Sequence, residues 1–100
     1  MKKRDYEIGS GNIFKDLGFE DEQAINLLAR TDLIIEIRRI IKENGWSQAE
    51  AGTILKISQP RVSDLMTTRI EKFSLDILLR FLARLGKHVS FVVQDAPKVA

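Results

Sequence analysis

The chain has no cysteine, so disulfide scaffolds and thiolate metal sites are excluded. Its one histidine, His88, has no companion ligand and no plausible nucleophile beside it, which leaves neither a zinc centre nor a catalytic triad to assemble. His88 reads instead as a strand-edge residue. Apolar runs are short, far below the roughly 20 residues needed to span a bilayer. Lys2, Lys3 and Arg4 lead into polar residues rather than an apolar signal region. Gly9-Ser10-Gly11 begins like a phosphate-binding loop, yet Phe14 stands where a third glycine is required and no strand precedes it, so it reads as a turn. The expected setting is the cytoplasm, with no membrane span, no cofactor and no catalysis.

What is present describes one small domain: 100 residues, 44% hydrophobic and 30% charged. The net charge of +2 is small, but it is unevenly spread. Residues 1–46 carry eight Lys/Arg against nine Asp/Glu, whereas residues 47–100 carry eight against five. A basic C-terminal half favours a polyanionic partner there, and a less basic first half suits a different one.

Along the chain, residues 1–20 show no sustained period and read as an arm with a short helical turn that packs its aromatics on the body. A long helix is predicted from about Asp21 to Glu43. Leu27, Leu33, Ile34, Ile37, Ile40 and Ile41 recur at helical spacing, and Asn44-Gly45 closes it. Ser47 and Glu50 form a capping box for a short helix carrying Ala51 and Leu55, with Trp46 placed to staple against Ala51. After a tight turn, Ser58 can cap a second short helix in which Pro60 is tolerated in the first turn and Val62, Leu65 and Met66 point inward. A polar loop follows. Ser74 then caps a helix with Leu75, Leu78, Leu79, Leu82 and Leu85 on one face, stopped by Gly86. In His88 to Gln94, Val89, Phe91 and Val93 alternate with His88, Ser90, Val92 and Gln94, and β-branched and aromatic residues at period two predict one strand. A lone strand has no partner within such a chain, so its edge is expected to meet a second copy, with Val89, Phe91 and Val93 as dimerisation residues. Residues 95–100 read as a tail, with Pro97 discouraging further pairing.

Two short helices joined by a tight turn between Gln48 and Thr67 make double-stranded DNA the first partner to test. The outward residues Gln59, Arg61, Ser63, Asp64 and Thr67 supply the amide, guanidinium, hydroxyl and carboxylate groups that pair with base edges and phosphates in a major groove.

At these residues the chain resembles the Xre or Cro-type helix-turn-helix family of phage and bacterial repressors. With Gly9 to Asp21 and Phe73 to Val93 added, it is similar to a narrower subgroup of HigA-like antitoxins. The resemblance implies an all-α, five-helix, lambda-repressor-like domain over residues 21–87, flanked by the N-terminal arm and the C-terminal dimerisation strand. It also implies a homodimer on a palindromic operator, repression of its own operon, and neutralisation of a RelE-like (HigB-like) toxin. A stand-alone repressor, or a protein-interaction adaptor that does not use DNA, shares the architecture. By the family's pattern Gln48 touches a phosphate, while Gln59, Pro60, Arg61 and Asp64 occupy recognition positions. Two departures stand out: Gly52 where alanine is common, and Lys56 where many members have glycine. Either Lys56 adopts a left-handed backbone, at roughly 1–2 kcal/mol, or the turn takes a slightly different form.

Each candidate has a sharp and a plain role. Arg61 can be bidentate to a guanine or can pair with Asp64 one turn on as an ordinary surface arginine. Gln59 can read an adenine or clasp a phosphate. Asp64 can accept from a cytosine amino group or orient Arg61, and the second is favoured because a carboxylate repels phosphate. Ser58 belongs to the same set, and Lys56, Thr67, Thr68 and Arg69 flank the second helix in places suited to phosphate. Arg80, Arg84 and Lys87 are expected to form a solvated helix face.

Overall fold

The computed structural model describes residues 21–95. They form α1 (Asp21–Glu43), α2 (Gln48–Leu55), α3 (Gln59–Met66), a 3-10 turn (Ile70–Lys72) and α4 (Leu75–Arg84). The apolar stripe of α1 is the platform. It packs against α4, α3 and the 3-10 turn, and α2 closes the other side against α3 and α4. Ile34, Ile37, Ile40 and Ile41 from α1 meet Ala51, Leu55, Val62, Leu65, Phe73, Leu78, Phe81 and Leu82 in one buried cluster. Phe73 and Phe81 meet edge to face with centroids 6.0 Å apart. Among the described residues no polar or charged residue is fully buried, so burial of apolar side chains, about 1.5–3 kcal/mol for each large one, holds the helices together.

Each α-helix among the described residues ends on a left-handed residue: Gly45 after α1, Lys56 after α2, Thr68 after α3 and Gly86 after α4. The amide beyond each one returns to a carbonyl of the last turn, Trp46 to Ile41, Ile57 to Gly52, Arg69 to Asp64 and Lys87 to Leu82. This is the Schellman pattern, which satisfies carbonyls the helix end would otherwise leave open. Glycine adopts that backbone without a Cβ penalty. The outer two helices use it, whereas both ends that bound α3 use a side chain instead, at roughly 1–2 kcal/mol each. Lys56 sits at φ 60, ψ 44, so of the two turns open to a chain without glycine here the left-handed one is taken.

Two expectations require correction. The described residues form four α-helices and a 3-10 turn rather than five helices, and the polar stretch after α3 supplies the 3-10 turn. The arm with its short helical turn lies in residues 1–20, outside the described residues, as does the tail beyond Asp95. Residues 87–95, including the segment expected as a strand, carry no ladder and no helix. A strand exists only by pairing, and nothing among the described residues of this single chain offers an edge. Val89 packs on the chain's own core, while Phe91, Val92 and Val93 are 74, 82 and 96% exposed. No described helix is long and apolar enough to cross a membrane.

Candidate nucleic-acid interface

The turn between α2 and α3 is built by local chemistry first. Ser47 Oγ accepts from the Glu50 amide at 3.1 Å, and a Glu50 carboxylate oxygen accepts from the Ser47 amide at 2.9 Å, the capping box read from the sequence. That backbone hydrogen bond, with the one to the Ser47 side chain, lowers the Glu50 pKa from 4.5. Trp46 is half-buried against the core, and its amide closes the end of α1. The chain then turns through Lys56 and Ile57 directly across Gly52. A Cβ on Gly52 would lie 2.8 Å from the Ile57 carbonyl oxygen and 3.5 Å from Val62 Cγ2. Glycine is therefore required here by the closeness of the turn, not by its dihedral angles. Arg84 of α4 donates to the Leu55 carbonyl at 2.6 Å, pinning the end of α2. Arg84 is exposed, as expected of a solvated face, and also carries this tertiary contact. Arg80 fits that face too, pairing with Asp76 at 3.2 Å where both side chains are well exposed.

On α3, Val62 and Leu65 are buried, and the opposite arc presents the polar set. Gln59, Pro60 and Thr67 are exposed, with Ser63 and Asp64 half-exposed between them. At about 100° per residue, Gln59, Ser63 and Thr67 follow one another along the same outer face. Ser58 holds the cap position with extended backbone, but its hydroxyl makes no cap hydrogen bond; the sequence reading of a second side-chain cap is corrected. Pro60 fills the first turn, where a missing N–H is harmless. Thr67 Oγ1 donates back to the Ser63 carbonyl at 2.9 Å. Gln48, at the start of α2, and Lys56, in the turn, are exposed on the same helix pair.

Arg61 lies only about 40° round the helix from buried Leu65, counted at 100° per residue, so its side chain runs along the edge of the core rather than out from the helix. Its guanidinium sits 4.4 Å over the Phe73 ring, and Nη1 donates to the Lys72 carbonyl at 3.0 Å. Asp64 therefore does not orient Arg61, contrary to the favoured reading of that carboxylate.

Arg61 is one of three arginines gathered on the segment after α3. Arg30 of α1 donates through Nη1 to the carbonyls of Ile70 and Phe73 at 3.1 and 3.4 Å. Arg38, two turns further along α1, donates through Nη1 to Thr68 Oγ1. Sequence reasoning missed Arg30 and Arg38, and no motif marks them. Arg69, flanked by these anchored residues, is exposed, and its side chain makes no hydrogen bond or ion pair among the described residues. The site thus combines a polar helix face with a basic loop, the two elements needed to contact base edges and phosphates respectively.

Two helices closed on each other through a tight turn, the second offering a polar outer face, define a helix-turn-helix protein, the architecture of DNA-binding regulators. The comparison with protein families agrees: the chain belongs to a family of helix-turn-helix domains, matched over residues 13–94. None of the curated proteins compared with the chain matches it.

Proposed function

We propose that this protein is a sequence-specific transcriptional repressor that binds a palindromic operator as a homodimer. The observation that carries the reading is α3, held by α2 and α1 with Gln59, Pro60, Ser63, Asp64 and Thr67 on its outer arc. Gln59 is the residue assigned to a base edge, since it is exposed near the helix start and has both donor and acceptor. Gln48, Lys56, Ser58, Thr68 and Arg69 are assigned to phosphates, with Arg61 holding the loop between them. The second copy is assigned to the apolar run Phe91, Val92 and Val93, which a monomer leaves open to water. Occupation of DNA is the whole of the action, in the cytoplasm and without catalysis.

The narrower reading is an antitoxin that represses its own operon and neutralises a RelE-like toxin. Resemblance over most of the chain and an acid-rich N-terminal half, suited to a basic partner, support it. The test has two arms. Gel-shift on DNA flanking the protein's own gene, against a scrambled duplex, should show a specific complex; equal binding to both would remove the repressor reading. Co-expression with the product of the adjacent open reading frame should yield a stable complex and rescue growth. A harmless neighbour that does not co-purify would leave a stand-alone regulator.

A further inference from the structure

We infer that Arg38 of α1, acting through Thr68, is a positioning residue for DNA binding: it aims the loop after α3 so that Arg69 reaches a phosphate. The inference rests on the DNA-binding reading above and adds to it a residue outside the helix-turn-helix motif. Its starting point is the left-handed backbone of Thr68, at φ 55. A β-branched residue is among the least suited to that conformation, and α1 and α4 show that this fold ends helices on glycine where only the turn matters. The cost of the Thr68 side chain is set against what it does. What it does is accept from Arg38 Nη1.

The loop's other restraints point the same way. Between residues 68 and 73 the hydroxyl of Thr68 and the carbonyls of Ile70, Lys72 and Phe73 are each held by a guanidinium, from Arg38, Arg30, Arg61 and Arg30 respectively. Arg69 is passed over. Its amide closes the end of α3 on the Asp64 carbonyl at 3.0 Å, which ties its backbone to the recognition helix while its side chain stays exposed. This loop contains one acid, Glu71, against Arg69, Lys72 and the three inserted arginines, so the local field draws a polyanion toward it. The Nε groups of Arg30 and Arg38 are also buried without a hydrogen-bond partner among the described residues.

The test is a double-mutant cycle read in binding, using the full-length protein and the operator duplex from the gel-shift experiment over a salt series. Arg38→Met keeps the apolar stem and removes the donors; Thr68→Val keeps the shape and removes the acceptor. Each should bind the operator about 10-fold more weakly, with a salt slope about one unit shallower, as for loss of one phosphate contact. The double variant should be no weaker than the weaker single, Thr68→Ser should bind like wild type, and in an Arg69→Ala background Arg38→Met should cost nothing further. Additive losses overturn the inference, as do wild-type affinities in both single variants. A shallower slope in Arg38→Met with Thr68→Val unchanged also overturns it, since Arg38 would then touch the phosphate itself. If Arg38→Met does not fold, Thr68→Val against Thr68→Ser decides: weaker binding in the first alone upholds the role, and equal binding removes it. A wild-type protein that binds operator and scrambled duplex alike removes the DNA-binding reading itself, an outcome distinct from all of these.

Discussion

Arg61 is where the free protein and a base-reading role compete most directly. Leaving its resting place forfeits a neutral-acceptor hydrogen bond, about 0.5–1.5 kcal/mol, and a partly exposed cation–π contact of about 0.5–1 kcal/mol. A guanine contact returns about 1–3 kcal/mol, so the exchange is close to even and discrimination by Arg61 is small. Gln59 has no such prior engagement. Gln59→Ala should therefore cost about 1–3 kcal/mol on the operator and little on scrambled DNA, whereas Arg61→Ala should weaken both duplexes by the same factor. Titrating both variants on both duplexes decides it, and an operator-only loss for Arg61→Ala would restore that residue to the base edge. Gly52 poses a second contest at this scale. Alanine gains up to about 1 kcal/mol of helix propensity, but its Cβ would sit 2.8 Å from a backbone oxygen that is not free to move. Overpacking of this kind costs about 1–3 kcal/mol. Gly52→Ala is expected to lower the denaturation midpoint, and a rise would show that the turn can open at little cost.

At the scale of elements, α2 has only eight residues, too few to be stable alone, and depends on its cap and its neighbours. Glu50 titrates below the ordinary carboxylate value of 4.5 because the Ser47 amide donates to its ionised form. A carboxyl depressed on folding contributes stability that is present above its unfolded pKa and lost as pH falls through the folded value. Wild type should accordingly exceed Glu50→Gln in unfolding free energy at neutral pH, with the gap closing as pH falls through the lowered folded value of Glu50. Denaturant titrations of the two proteins across that range check it; a gap independent of pH would mean that the ionised carboxylate is not what caps α2. The opposite flank of α1 carries a different electrostatic pattern, in which Glu36 and Glu43 grip Arg39 and raise its pKa. Arg39 and Glu43 are exposed and Glu36 is half-exposed, so the cluster is largely screened and contributes little to holding the fold.

For the whole molecule the open question is what covers Phe91, Val92 and Val93. Pairing of this segment across a two-fold axis would satisfy its backbone and shield its side chains. It would also set two copies of α3 for successive major grooves, roughly 34–36 Å apart in proteins of this type. Phe91→Lys with Val93→Lys, made in the full chain, should give a monomer in light scattering with unchanged helix content and much weaker operator binding. A dimer that survives the double substitution would place the interface on the helices. Val89 is left out of that test because it packs on the chain's own core.

Helix positions were legible in the residues because their causes are local. The spacing of isoleucines in α1, the Ser47–Glu50 box, the Ser74 cap and the glycine stops each act within about one turn, and the bounds of α1 match the sequence reading. At Lys56 the missing glycine was legible, whereas the choice of the left-handed backbone over another turn came only with the structure. What the sequence could not contain is where four arginines point. Arg30, Arg38, Arg61 and Arg84 find acceptors 40, 30, 11 and 29 residues away, and three of the four find a main-chain carbonyl. Every residue carries a carbonyl, so no side-chain pattern marks the one an arginine will meet. Only packing α1 and α4 against the turns around α3 selects it, and with it the place from which Arg61 holds the loop that carries Arg69.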